Sequence, residues 1–217
     1  MELQCSEVTI DSDLGIVALG GVLTTETLTK AYENGIFPWP MEDSPLPWVC
    51  PPERAILQFN ELKIPRSLKK VLKSHPYRVT FDQDFPAVIR ACQKASRPGQ
   101  PGTWITPEML SAYTELHRIG LAHSVEVWQG SLLVGGLYGV SIRGTFAGES
   151  MFHLEPNASK IALIALIEHL QKQGLKWMDI QMVTPHMEQL GAKLISRNRF
   201  LQLLFATQKE ELVFSWV

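Results

Sequence analysis

The sequence has few cysteines, no long apolar run and almost no net charge. Its three cysteines among 217 residues, Cys5, Cys50 and Cys92, include no Cys-x-x-Cys pair, which excludes a disulfide framework and fits a reducing compartment. The longest apolar stretch, residues 161–167, is far too short to cross a bilayer. The N-terminus lacks a basic start and a long apolar run, so no signal peptide is predicted. A formal net charge of -2 excludes a global basic bias toward nucleic acid, and we expect a soluble, cytoplasmic, monomeric protein with no membrane partner.

The apolar content is sufficient for one substantial core, or for a main domain with a small extension, since 45% of the residues are hydrophobic. Prolines cluster in residues 38–52, and such a run disfavours a helix or an interior strand. We interpret it as a rigid connection with Trp39 and Trp48 packed inward. This predicts a small N-terminal domain over residues 1–51 and a main domain over residues 52–217. One continuous domain is the alternative.

Hydrophobic patterning predicts an α+β fold. Residues 124–152 read as three strands joined by two Gly-containing turns, an antiparallel meander. An apolar helix follows, capped by Asn157 or Ser159 and ended by Gly174, and residues 175–183 form a strand beside the meander. Further predictions are helices at residues 25–35, 65–73, 84–94 and from Pro107 onward, with Thr106 as N-cap, and a strand at 77–81. The expected architecture is a central, mostly antiparallel sheet with flanking helices.

The strand "KWMDIQMV", residues 176–183, carries a carboxylate and an amide. Because side chains two apart on a strand share a face, Asp179 and Gln181 should point the same way. A buried acid is unfavourable unless it is paired or used. The two groups either hold a neighbouring loop or form an active pair, in which Asp179 accepts a hydrogen bond from the Gln181 amide. The amide oxygen then accepts from a substrate, although the neutral amide is not itself a base.

A second acid lies in the apolar stretch "GTFAGESMF". Glu149 follows Phe146 and Gly148, and the glycine allows close backbone approach. Glu149 is either a solvated acid on an edge strand or a carboxylate in an apolar wall that holds an ammonium group.

A one-sided basic helix and two tryptophans are candidate contacts for a nucleic acid. Residues 62–81 contain no Asp or Glu, and the predicted helix presents four cations in one arc. These cations are Arg66, Lys69, Lys70 and Lys73. The strip is either a solvated helix face or a surface for a phosphodiester chain. Trp39 and Trp104 stand beside turn signals and serve either as core residues or as a stacking wall for a nucleobase.

The remaining reactive side chains form no recognisable site. His153 has no Ser or Cys nucleophile in a known motif, and His117, His123 and Glu126 do not have a metal-ligand spacing. No metal site is predicted.

Together these segments resemble the leucyl/phenylalanyl-tRNA protein transferase family. The specific motifs are "GIFPW", "GESMF" and the Asp-x-Gln strand, which occur in this order. Other matching stretches are "LGIVALGGVLTTETLTKAYEN", "PRSLKK", "TWITPEM", "HSVEVWQGSLLVGGLYGV", "NASKIAL", "DIQMVTPHMEQLGA" and "ISRNRFLQLL". They extend over residues 14–204, nearly the whole chain.

The resemblance implies a small N-terminal domain and a second domain of the GNAT acyltransferase type. It implies that the protein transfers Leu or Phe from aminoacyl-tRNA to proteins that begin with Lys or Arg, without a cofactor. The added residue is a tag that marks these proteins for degradation. By position it makes Asp179 and Gln181 the catalytic pair and the basic helix a tRNA contact. The substrate-binding residues that it implies are Glu149, the adenosine neighbours Trp39 and Trp104, and the amino-acid pocket of Leu137, Phe146, Gly148, Leu166 and Leu170.

The sequence departs from the family pattern at three places. "DIQ" stands where "DCQ" is frequent, with no loss of chemistry, and "LPWVCPPER" has one Trp fewer than the frequent "LWWSPDPR". Aromatic residues are also common in the family where Leu166 and Leu170 stand.

Two other functions are compatible with parts of the sequence. A CoA-dependent N-acetyltransferase has the same strand and helix order, but it needs a Gly-rich turn that seats a pyrophosphate on helix N–H groups. The corresponding turn here, "LEPNASK", has an acid and no glycine. A non-enzymatic tRNA-binding module explains the basic helix but gives Glu149, Asp179 and Gln181 no role.

Overall fold

The computed structural model describes residues 14–41, 44–74, 76–96 and 103–216. The first part of the described chain forms a small antiparallel sheet and one helix. Its elements are β1 (Ile16–Leu19), α1 (Thr25–Glu33), β2 (Phe37–Pro38) and β3 (Pro47–Val49), with β3 between β1 and β2. The predicted helix at residues 25–35 is confirmed, and the Thr24 hydroxyl caps it by accepting from the Thr27 N–H.

The proline-rich segment contains an interior strand, which its prolines disfavour, so the prediction made from them was wrong. Pro47 tolerates its missing N–H because it is the first residue of β3, and its carbonyl accepts from the Trp39 N–H at 2.9 Å. Trp48 is fully buried, as predicted, and its indole N–H donates to Gly20 O at 2.9 Å. Burial of this large ring stabilises an extended backbone that proline content alone disfavours.

A seven-stranded sheet forms the centre of the molecule. Its strands are β4 (Glu53–Gln58), β5 (Arg78–Phe81), β6 (Ala122–Gln129), β7 (Leu132–Ile142), β8 (Thr145–His153), β9 (Trp177–Gln181) and β10 (Lys193–Ser196). Their order is β10-β4-β9-β8-β7-β6-β5, and every neighbouring pair is antiparallel except β8 and β9. The predicted meander and the central, mostly antiparallel sheet are confirmed.

Helices cover the sheet. They are α2 (Arg66–Ser74), α3 (Phe85–Lys94), α4 (Pro107–Arg118), α5 (Ala158–Lys172), α6 (Pro185–Gln189) and α7 (Arg197–Gln208), with a 3-10 turn at Phe59–Glu61. Thr106 caps α4 by accepting from the Met109 N–H, as predicted. Asn157, rather than Ser159, is the N-cap residue of α5. The α+β class is therefore confirmed.

Two hydrophobic cores lie on opposite faces of the large sheet. One contains Tyr138 and Ala147 with α1, α3 and α4, and the other contains Leu137 and Phe146 with α5. Successive residues of β7 and β8 thus alternate between the two cores. The first core includes residues from both sides of position 51, and the predicted division into residues 1–51 and 52–217 stays a prediction.

Three further expectations concern cysteine, membranes and metals. Cys92 is buried, whereas Cys50 is disulfide-bonded, which the sequence did not predict. Within the described ranges no helix is long and apolar enough to cross a membrane, and no three His, Cys, Asp or Glu residues are grouped to hold a metal ion. The signal-peptide prediction depends on the N-terminus, whose first 13 residues lie outside the described ranges.

Candidate active site

The Asp-x-Gln segment lies where the two parallel strands β8 and β9 meet. They pair at one position, Ala147 opposite Asp179, so Asp179 points toward the core that contains α1 and α4. β9 ends at Gln181, two residues before the predicted end of the strand. Its φ of +55° is in the left-handed region, which few residues other than glycine adopt.

Asp179 forms a buried ion pair with Arg54 of β4. Arg54 Nε donates to Asp179 Oδ1 at 2.8 Å and Arg54 Nη2 donates to Oδ2 at 2.6 Å. The guanidinium carbon lies 4.5 Å from the ring centroids of both Phe37 and Phe200, between the two rings. Arg54 is 1% exposed and Asp179 is 6% exposed. Such a two-point contact fixes the orientation of the carboxylate.

Sequence reasoning missed Arg54. The segment "ERAILQ" follows the prolines and was not predicted to be a strand, although it pairs with β9. Two features of the sequence indicate Arg54: it is one arginine within an apolar run, and the buried Asp179 requires a partner.

The side chain of Gln181 bonds to Glu149 and not to Asp179. The active-pair interpretation has the Gln181 side-chain amide donating to Asp179, and this detail is wrong: the backbone N–H of Gln181 donates to Asp179 Oδ1 at 2.9 Å. Gln181 Nε2 instead donates to Glu149 Oε1 at 2.8 Å. The positive φ of Gln181 breaks the strand alternation from which the expectation was derived.

Glu149 is half-buried beside two buried tyrosines. The Tyr113 hydroxyl donates to Glu149 Oε2 at 3.5 Å, and the Tyr32 and Tyr113 oxygens are 2.5 Å apart. Since a hydroxyl has one proton, Tyr32 donates to Tyr113 when Tyr113 donates to Glu149. Tyr32 lies on α1 and Tyr113 on α4. Both were missed, because a single tyrosine on an amphipathic helix is indistinguishable from a core residue.

Burial raises the pKa of Glu149 from 4.5 to about 7. The hydroxyls of Tyr32 and Tyr113 and the charge of Arg54 lower this pKa, and the charge of Asp179 raises it. Burial also raises the pKa of Tyr32 and of Tyr113 well above 10, so both phenols keep their protons near neutral pH. The site thus combines a carboxylate that exchanges a proton near pH 7 with an amide oxygen to which no described group donates.

The predicted amino-acid pocket lies on the other face of the sheet. Its four apolar residues belong to the core under α5 and are at most 4% exposed; they are Leu137, Phe146, Leu166 and Leu170. Gly148 does allow close approach, because a Cβ there would lie 2.8 Å from Met178 Cε. The C-terminal segment contacts the same core, with the Trp216 ring centroid 5.7 Å from that of Phe146. The structure therefore does not bring the pocket residues and the polar pair to one face.

Trp39 and Trp104 lie against each other. Their ring centroids are 6.1 Å apart and the ring planes differ by 13°, and both side chains are half-buried. A groove of about 930 Å³ lies beside them, with Pro40, Met41 and Thr106 in its wall. None of the polar site residues lines this groove. The tryptophans thus form one aromatic surface.

The basic residues of α2 form the predicted strip. Arg66, Lys69, Lys70 and Lys73 are exposed, while Leu68 on the opposite side is buried. Among the described residues none of the four cations forms an ion pair. The strip is available to a polyanion.

The first turn of α5 is poorly suited to a pyrophosphate. The Ala158 N–H donates to Glu155 O at 3.1 Å, and Asn157 adopts the left-handed conformation that glycine would take in such a turn. A Cβ on Gly135 would lie 3.1 Å from Ser159 N, so β7 covers this end of the helix. These contacts disfavour the CoA-dependent alternative.

Family comparisons match nearly the whole chain. The leucyl/phenylalanyl-tRNA protein transferase family model matches residues 56–205, and the model of the N-terminal domain of that transferase matches residues 21–52. Solved structures are more distant. The structure of L-PGS from Bacillus licheniformis has a TM-score of 0.42 at 12% identity and covers 60% of this chain and 46% of its own. A GCN5-related N-acetyltransferase from Kribbella flavida has a TM-score of 0.42 at 13% identity and covers 75% of this chain and 57% of its own.

Curated relatives share about half of their residues with this chain. A leucyl/phenylalanyl-tRNA protein transferase from Hydrogenovibrio crunogenus is 52% identical over 190 residues, which cover 88% of this chain and 74% of the relative. The transferase of a Shewanella species is 48% identical over 198 residues, 91% of this chain and 84% of the relative. That of Flavobacterium johnsoniae is 47% identical over 190 residues, 88% of this chain and 90% of the relative. With this identity over most of its length, the chain belongs to the leucyl/phenylalanyl-tRNA protein transferase family, a family of aminoacyltransferases.

Proposed function

We propose that this protein transfers Leu or Phe, and also Met, from aminoacyl-tRNA to the α-amino group of proteins that begin with Lys or Arg. The product is an N-terminal tag for degradation, made in the cytoplasm by a monomer. The observation that carries the proposal is the linked chain of polar groups, Arg54 to Asp179 to Gln181 to Glu149, in a member of this family.

The reaction fits a site made only of side chains. The donor is an ester on the terminal ribose of tRNA, and attack by an amine gives a more stable amide, so no ATP, metal or coenzyme is needed. The attacking α-amine has a reference pKa of about 7.7–8.0, so a minority of it is neutral near pH 7. The site must align the neutral amine and accept its proton as the bond forms.

Gln181 and Asp179 suit the alignment. The backbone contact between them holds the strand end, and the contact with Glu149 directs the amide of Gln181 so that its oxygen is left for an amine N–H. Glu149 also offers negative charge to an ammonium group.

The donor contacts remain those implied by the family. Trp39 and Trp104 offer a stacking surface for the terminal adenosine. An apolar slot near Phe146 and Gly148 on β8, with Leu137, Leu166 and Leu170, suits an apolar side chain. Because these residues are buried, entry of the donor requires the segment that contains Trp216, or β8 itself, to move. The exposed strip on α2 suits the phosphates of tRNA.

Matched acceptors test the proposal. Labelled Phe-tRNA is incubated with the protein and with acceptors that differ only in their first residue: Lys, Arg, Ser or Glu. We expect label on the Lys and Arg acceptors alone. Equal labelling of all four would contradict the acceptor rule, and no labelling would contradict the transferase function. Saturable binding of acetyl-CoA in a parallel titration would favour the N-acetyltransferase instead.

A further inference from the structure

Asp179 is poorly placed to take a proton from a substrate. Both of its carboxylate oxygens accept from Arg54, and Oδ1 also accepts from the Gln181 backbone N–H. The residue is nearly fully buried, and the cavity that adjoins the ion pair measures about 10 Å³. This is no more than the space of one water molecule. A carboxylate held in this way keeps its orientation.

Glu149 has the properties that Asp179 lacks. It is half-buried, Gln181 holds one of its oxygens, and the other oxygen accepts from Tyr113 at a long 3.5 Å. Four groups from other elements face it with charge or a titratable proton: Tyr32, Tyr113, Arg54 and Asp179. Burial dominates their combined effect and raises the pKa of Glu149 to about 7, which suits a general base near neutral pH.

We propose that Glu149 accepts the proton of the attacking amine, and that Arg54 is the positioning residue that restricts Asp179 to holding Gln181. This inference depends on the proposed transferase function, whose proton path the family resemblance leaves to Gln181 and Asp179. It gives Glu149 a chemical step in addition to substrate binding.

Each bond that forms in the transfer step is matched by a bond that breaks. The acceptor ammonium first loses one proton to solvent, and the neutral amine lies with one N–H toward Gln181 Oε1 and another toward Glu149. The nitrogen attacks the ester carbonyl carbon, and its proton passes to the Glu149 carboxylate as the C–N bond forms. The C–O bond to the ribose then breaks, and the ribose oxygen takes that proton. Glu149 is ionised again, and no cofactor is consumed.

The pH dependence of the single-turnover rate tests this assignment. Transfer requires deprotonation of both Glu149 and the acceptor amine, so log rate should rise with pH at a slope of about two on the acid side. Glu149→Gln keeps a hydrogen-bonding side chain of the same shape. We expect its slope to fall to about one and its rate to fall by about 10²–10⁴-fold, with little change in affinity for Phe-tRNA. Glu149→Asp should keep the slope of about two at a lower rate.

Variants at Tyr32 and Arg54 separate an effect on the pKa of Glu149 from an effect on the position of Asp179. Tyr32→Phe removes a hydroxyl that lowers the pKa of Glu149, so the acid limb should move to higher pH. Arg54→Met should lower the rate and leave the slope at about two, and Arg54→Lys should recover part of that rate. Equal rates in the two Arg54 variants would remove Arg54 from the reaction. Glu168→Gln, an exposed change on α5, is the control.

A slope of about two in Glu149→Gln would overturn the assignment to Glu149. A slope of about one in Asp179→Asn would overturn the role given to Asp179. The wild-type protein separates this failure from failure of the proposed function: transfer with the wrong slopes refutes only the proton path, whereas no transfer at any pH refutes the function and the inference with it. Melting curves of each variant identify those that fail to fold.

Discussion

Arg54 donates two hydrogen bonds to the carboxylate of Asp179, at 2.8 and 2.6 Å, across 125 residues of sequence. The pair joins β4 to β9, and the aromatic rings of Phe37 and Phe200 enclose its cation. One contact therefore connects the small N-terminal sheet, the central sheet and α7. Two opposite charges in this environment stabilise the fold only as a pair.

We expect loss of either member of the pair to destabilise the protein strongly. Asp179→Asn or Arg54→Met leaves one buried charge without its partner and should lower the free energy of unfolding by about 3–5 kcal/mol. The double variant Arg54→Met with Asp179→Asn should lose much less than the sum of the two single losses. Urea unfolding at pH 7 measures all three. Additive single losses would contradict the coupling.

The stability of the protein should depend on pH through Glu149. Its pKa is raised from 4.5 to about 7 in the folded protein, so the folded state holds a proton that the unfolded chain releases. The free energy of unfolding should therefore fall as pH rises from about 4.5 to about 7, by up to about 3 kcal/mol. Glu149→Gln should match the wild type near pH 4 and exceed its stability near pH 8. A stability difference that does not change with pH would contradict the raised pKa.

Substitutions of Gln181 should change the stability of the protein and its transfer rate in different ways. Its φ of +55° is unfavourable for any side chain with a Cβ, by about 1–2 kcal/mol. Gln181→Gly should therefore unfold at higher denaturant concentration than Gln181→Ala. Both should lose about 10²–10⁴-fold in single-turnover rate with near-normal affinity for Phe-tRNA. A near-normal transfer rate in either variant removes Gln181 from the mechanism.

The strip on α2 should set the salt dependence of tRNA binding. Replacing Lys69, Lys70 and Lys73 by Glu should weaken binding, and each lost phosphate contact should reduce the log–log salt slope by roughly 0.7–0.9. Charge reversal at the exposed residues Lys172, Lys176 and Lys209 is the matched control, with the same change in net charge. If both triple variants bind alike, α2 is only a solvated helix face.

The donor pocket predicts a selective effect of Leu166→Phe. Leu166 and Leu170 are four residues apart on α5 and face the same side of it. The larger ring should destabilise the core by about 1–3 kcal/mol and penalise transfer of Phe more than of Leu. Leu163→Phe, at another buried position of α5, should destabilise without changing the Phe/Leu ratio. Ile and Val should transfer poorly from the wild type. An unchanged ratio in Leu166→Phe would place the pocket elsewhere.

Local patterns predicted most elements of the fold and the three polar residues at its centre. The meander, α5 and the β9 strand follow from alternation and helical periodicity, which depend on residues close in sequence. Asp179, Gln181 and Glu149 were conspicuous because polar groups interrupt apolar strands.

The missed features depend on contacts between distant segments. Arg54 meets Asp179 only because β4 lies beside β9, and the two tyrosines reach Glu149 only through the packing of α1 and α4. β3 was missed because burial of Trp48 outweighs the preference of the proline-rich backbone. The side-chain direction of Gln181 depends on a left-handed backbone that no residue type in the segment indicates.

The proposed activity is the addition of an amino acid from tRNA to a protein N-terminus. The most direct measurement is mass analysis of an Arg-starting acceptor after incubation with the protein and Phe-tRNA, with fragmentation to locate the added residue. We predict one added Phe on the α-amine, none on lysine side chains, and none when that amine is acetylated beforehand. An unmodified acceptor, or Phe on the acetylated acceptor, would contradict the account.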